Sequence, residues 1–106
     1  MGNQPRTRQQ LLPLKLLAIR KCLKVGQTEM ANVLQSKILS HFDRRYDLKP
    51  GRISEYEKEQ REPNLFVLTA YARLAQVYLE SVADDRVTVK EFRRLLGKEG
   101  YSKDLV

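Results

Sequence analysis

The 106-residue sequence contains one cysteine, Cys22, and one histidine, His41. A single cysteine excludes an intramolecular disulfide, and there is no Cys/His cluster with the spacing that holds zinc. A glycine-rich phosphate loop is absent too, and neither Cys22 nor His41 lies near a recognisable nucleophile or ligand pattern. No metal, cofactor or enzymatic activity is therefore expected. No apolar run approaches the roughly 20 residues that cross a bilayer. Residues 1–10 are polar, without a secretory apolar segment, and Arg6 stands where a myristoylation signal requires Ser or Thr. A cytoplasmic protein without membrane attachment is the expectation. The sequence also has no Val/Ile/Tyr alternation bounded by turns, which argues against a sheet, and no internal repeat.

What remains is a chain of one-domain length, long enough to enclose one modest core. Hydrophobic residues make up 42% and charged residues 31%, too apolar for a wholly disordered chain. Lysine and arginine number 20 against 13 acids, a net charge of +7. That field favours polyanions such as nucleic acid or an anionic membrane surface.

Apolar periodicity predicts the elements. Residues 1–10, with Arg6 and Arg8, read as a flexible basic arm. Leu12, Leu16, Leu17, Ala18, Ile19 and Leu23 recur at helical spacing, with Pro13 suited to a first turn, and predict a helix over 11–23. After Lys24-Val25-Gly26, a second helix begins near Gln27, with Met30, Ala31 and Leu34 on one face. Leu34, Ile38 and Phe42 keep the spacing towards His41. A short helix over 51–58 has Ile53 and Tyr56 inward. Pro63-Asn64 precedes a fourth helix to about Val77, with Leu65, Leu68, Ala72 and Ala75 as its stripe. Residues 78–82 read as one further turn. Thr88 and Glu91 have capping-box spacing for a last helix from Val89 to Leu96, closed by Gly97. Phe92, Leu95 and Leu96 form an apolar face that needs covering, so 86–106 is a candidate dimer or partner contact.

Three blocks carry a resemblance: Leu17-Ala18-Ile19-Arg20-Lys21 followed by Gln27-Thr28-Glu29-Met30-Ala31; Arg52-Ile53-Ser54-Glu55-Tyr56-Glu57; and Arg61-Glu62-Pro63-Asn64-Leu65 leading to Leu68, Tyr71-Ala72 and Leu74-Ala75. Over about residues 14–85 the chain resembles the Xre/Cro family of helix-turn-helix transcriptional regulators. The resemblance implies an all-α, phage-repressor-like domain of four to six short helices over 11–85. It also implies sequence-specific binding to double-stranded DNA, normally as a homodimer, with the recognition helix at about 51–58.

It further implies roles for particular residues. Ala31 is the small residue where two helices cross closely. Gln27 and Thr28, in the first turn of the second helix, would meet phosphates. Arg20 and Glu57 would form a structural ion pair. Arg52 would read bases, since arginine can bond both acceptors of guanine for about 1–3 kcal/mol of discrimination. Ser54 would bond a base or a phosphate. Two readings of Glu55 stand: acceptor from a cytosine amino group, or partner of Lys58. Lys49 and Lys58 flank the helix as phosphate contacts.

The family joins its second and recognition helices by about four residues, whereas here 35–49 intervene. That insertion, with Lys37, Arg44 and Arg45, is either a longer helix followed by an ordered basic loop that adds phosphate contacts, or a solvated surface loop. Acids at Glu55, Glu57, Glu59 and Glu62 keep open a protein-interaction module or an antitoxin built on the same fold.

Overall fold

The computed structural model describes residues 11–98, with side chains through Leu96. The basic arm 1–10 and the segment 99–106 lie outside the described residues. The described chain is all-helical: α1 Leu12–Leu23, α2 Gln27–Phe42, α3 Pro50–Glu57, α4 Leu65–Ala75, α5 Leu79–Ala83 and α6 Val89–Lys98. None of these helices is long and apolar enough to cross a membrane.

In α1 the residues Leu12, Leu16 and Ile19 turn inward at helical spacing, with Pro13 in the first turn. The helix stops at Lys24, whose left-handed backbone (φ 61°) lets its N–H bond the carbonyls of Arg20 and Lys21. Asp43 and Gln76 end α2 and α4 in the same conformation. None of the three is glycine, so each stop costs roughly 1 kcal/mol that packing must offset.

The insertion resolves into two parts. Its first half prolongs α2 to Phe42, because Ile38 continues the buried stripe of Met30, Ala31 and Leu34. The remainder, 43–49, is an ordered connection. Leu48 is buried, and its N–H donates to Gln35 Oε1 at 3.1 Å. The Tyr46 hydroxyl accepts from Asn64 Nδ2 at 2.8 Å, and the Arg44 guanidinium lies 4.9 Å from the Phe66 ring centre. Short α3 is anchored by Ile53 and Tyr56, and packs against α1 and α2.

Two expectations need correction in the C-terminal half. The fourth helix buries Val67, Ala70, Tyr71, Ala72, Leu74 and Ala75, while Leu65 is 64% exposed. Its apolar surface is wider than one stripe because α1, α2 and α5 all pack on it. Asn64 opens the helix, its Oδ1 accepting from Val67 N–H at 3.0 Å. The last helix does not close at Gly97 but runs on to Lys98. A glycine costs about 1 kcal/mol there, which burial of Phe92 and Leu96 in the preceding turns outweighs. Both bonds of its capping box are made at 3.1 Å, Thr88 N–H to Glu91 and Glu91 N–H to the Thr88 hydroxyl.

The Phe92 and Leu96 part of the face expected to need covering is covered by α1 of the same chain. At that contact lies Lys15, fully buried, whose ammonium donates to the Ser81 and Asp84 carbonyls at 2.8 Å each. The ammonium also sits 5.6 Å from the centre of the Phe92 ring. Burial pushes its pKa down, against the upward pull of the Asp85, Asp84 and Glu91 carboxylates.

Candidate nucleic-acid interface

The surface of α3 carries Lys49 at its start, Arg52, Ser54 and Glu55 along it, and Lys58 just after its end. Two helices here begin without side-chain caps: α2 after Gly26, close to the end of α3, and α3 after Lys49 with Pro50 in its first turn. The first turn of α3 carries no acid. Such ends carry the positive pole of the helix, which suits an anion, although at α3 Pro50 has no N–H and the Arg52 N–H already donates to the Lys49 carbonyl at 3.0 Å.

Arg20 and Glu57 meet across the base of this surface. Arg20 Nε and Nη2 donate to Glu57 Oε2 and Oε1 at 2.6 and 3.0 Å, and Nη1 donates to the Val25 carbonyl at 3.0 Å. The side chains are 16% and 7% exposed, so the pair is largely withdrawn from water. Gln27 Nε2 adds a third bond to Glu57 at 3.2 Å. The amide expected at a phosphate is therefore engaged inside the protein, joining the start of α2 to the end of α3. Glu57 is likewise committed internally and offers nothing to a basic protein partner.

Beneath this pair lies the Tyr71 hydroxyl, buried and without a hydrogen-bond partner among the described residues. Burial, with the Glu57 carboxylate nearby, pushes its pKa far up. Tyr71→Phe is expected to raise the unfolding free energy by about 1 kcal/mol, by removing a polar group that gains nothing from its site. Chemical denaturation of the two proteins checks this, and an equal loss would show instead that the hydroxyl is satisfied in solution.

On the outer side of α3, Arg52 and Glu55 are 43% and 39% exposed, and Ser54 is half-buried. The Glu55–Lys58 pairing is not what forms. Glu55 Oε1 accepts from Arg61 Nε at 2.9 Å and lies 3.6 Å from Arg52 Nε. The turn after α3, closed by the bond from Gln60 N–H to the Glu55 carbonyl, brings Arg61 back beside the helix, a closeness that linear spacing hides. Lys58 is exposed at the end of α3.

The other basic residues do not all converge. Arg45 lines an open groove of about 570 Å³ between the outer face of α2 and the 43–49 connection, with Asn32, Gln35, Ser36, Leu39, Tyr46 and Asp47. Thr28, exposed and one turn before Asn32, lies on that same face of α2. Lys37 falls about 140–160° around the helix from Asn32 and Leu39, on the opposite flank, and is not brought to the site. Arg44 is held against Phe66. Lys49 is exposed and forms a 3.3 Å pair with Asp47, both side chains more than 70% exposed. A pair so placed is worth little and can give way to a phosphate.

Among the described residues no group of three or more His, Cys, Asp or Glu is placed to hold a metal. Burial pushes the Cys22 thiol up, the reverse of what activates a thiolate. His41 accepts from Arg73 Nε at 3.1 Å on the surface.

Residues that the sequence did not single out include Gln35, which pins the connection, Arg61 beside Glu55, and buried Lys15. Lys15 had a visible signal, since it stands three residues after Leu12 and four before Ile19, on the apolar stripe. No protein-family model matches the chain, and comparison with curated proteins and with solved structures returns no significant match.

Proposed function

We propose that this chain is a sequence-specific double-stranded DNA-binding regulator of the helix-turn-helix kind, resembling the Xre/Cro family, with α3 as its recognition helix. The observation that carries this reading is the placement of α3: a short helix fixed from beneath by Ile53, Tyr56 and the Arg20–Glu57 pair. Its uncapped start, with Lys49 as the cap residue, and half-exposed Arg52 face outward. A helix so presented enters a major groove with its N-terminal side chains at the base edges. Arg52 and Ser54 read bases; the N–H groups at the start of α2, with Thr28, Arg45, Lys49 and Lys58, hold phosphates and set the register. The net charge of +7 supports the same partner.

A homodimer would place two such helices in successive major grooves, about 34 Å apart, on a roughly palindromic operator. The experiment is selection of the purified protein on a random duplex library at near-physiological salt, beside Arg52→Ala. The expected result is a two-fold motif containing a guanine whose preference the variant loses by roughly tenfold or more, while weak, salt-sensitive binding to any DNA survives in both. Enrichment of nothing by the parent protein rejects the reading and points to a protein partner for the same surface.

A further inference from the structure

We infer that Glu55 does not touch DNA but positions two arginines, Arg52 and Arg61, as one fork whose free edges face the duplex. The inference rests on the DNA-binding reading above and deepens it. A guanidinium offers two hydrogen-bonding edges, one containing Nε and one made by the two Nη groups. Both arginines approach the same atom, Glu55 Oε1, and both do so with Nε, at 2.9 Å for Arg61 and 3.6 Å for Arg52. Each therefore turns its Nε side to the carboxylate and leaves its Nη pair for another acceptor, the pair that matches guanine O6 and N7 or two phosphate oxygens.

Arg52 projects from the first half of α3, and Arg61 comes from the connection to α4. The carboxylate thus links the recognition helix to the chain that follows it. Half-exposed arginine side chains are otherwise free to sample many rotamers, and a shared anchor reduces what is lost on binding. The three groups together carry one net positive charge, so the fork still attracts a phosphate. For Glu55 to accept from a cytosine amino group instead, its oxygen would have to surrender the 2.9 Å bond to Arg61. We assign Arg52 the guanine edge and Arg61 the neighbouring phosphate.

The test has a part without DNA and a part with it. In the free full-length protein, Glu55→Gln removes the charge and keeps the shape, and the side-chain Nε–H resonances of both Arg52 and Arg61 are expected to shift; resonances that stay in place overturn the fork. In duplex selection, Glu55→Gln is expected to lose preference at the same base pair as Arg52→Ala, by roughly tenfold. The Arg52→Ala/Glu55→Gln double variant should be no worse than Arg52→Ala alone. Arg61→Ala should lower the salt dependence of binding by about one counterion while leaving the Arg52 base preference in place. Loss of preference at a different base pair, or none, shows that Glu55 either reads cytosine directly or does nothing, and overturns the inference while the DNA-binding reading stands. A parent protein that enriches no sequence overturns both, and the resonance shifts then report only on the arginine geometry.

Discussion

Arg20→Ala is expected to lower the unfolding free energy by about 3–5 kcal/mol, the usual cost of stripping one partner from a desolvated ion pair. Three bonds from the Arg20 guanidinium disappear together, two to Glu57 and one to the Val25 carbonyl. The larger part of the loss is what remains: a carboxylate 7% exposed, with only the Gln27 amide to satisfy it. Against a typical total of 5–15 kcal/mol, that is enough to leave a substantial fraction of the protein unfolded. Arg20→Lys should recover only part of the loss, since an ammonium cannot reproduce the two-pronged bond. Replacing both partners, as in Arg20→Met with Glu57→Leu, should be far milder than either single loss, because no charge is then left buried. Urea denaturation of the four proteins decides the matter. A loss below about 1 kcal/mol for Arg20→Ala would mean that water reaches the pair and screens it as on an open surface. Glu57 is the last residue of α3, so the pair fixes α3 against α1 and the start of α2.

The helices were legible in the sequence wherever apolar spacing was regular and local. Leu12, Leu16 and Ile19 predicted α1, Ile53 with Tyr56 predicted the inward face of α3, and the Thr88 to Glu91 spacing predicted the capping box that forms. Arg20 and Glu57, suggested by resemblance, are brought together, although they stand 37 residues apart. Three things were hidden because they depend on tertiary neighbours. The face of α4 could not be read from a single stripe, since three other helices pack around it. The partner of Glu55 is Arg61, placed there by the turn before Pro63 and not by helical spacing from Lys58. The insertion gave no periodic signal after Phe42, because its order comes from single contacts: the Gln35 amide on Leu48, Asn64 on Tyr46, and Phe66 beneath Arg44. Lys37 shows the converse, a basic residue of the insertion that helical rotation carries away from the others.

Lys15→Ala is expected to destabilise the protein by about 2–5 kcal/mol, comparable to truncating a large core side chain. The four-carbon stem packs fully buried, and the ammonium closes the end of α5 by bonding the Ser81 and Asp84 carbonyls. Truncation leaves a cavity beside Phe92 and takes the lysine donor from both carbonyls, of which Asp84 keeps its bond from Val87 N–H at 3.0 Å. Lys15→Met separates these contributions, since it fills most of the space and removes the charge. If the stem dominates, Met should hold the loss to about 1–2 kcal/mol; if the ammonium bonds dominate, Met should fall close to Ala. Burial lowers the pKa of this lysine, so between its folded value and the ordinary 10.5 the unfolded chain binds the extra proton. Its contribution to stability therefore rises with pH through that window, and Lys15→Met should lack the rise. Amide exchange locates the effect: in Lys15→Ala, protection should fall first in α5 and α6, the elements that this side chain ties to α1, while α2 and α3 keep theirs. Equal loss across all helices would instead make the C-terminal helices part of one cooperative unit with α2 and α3, and any contact they make would then be felt by α3.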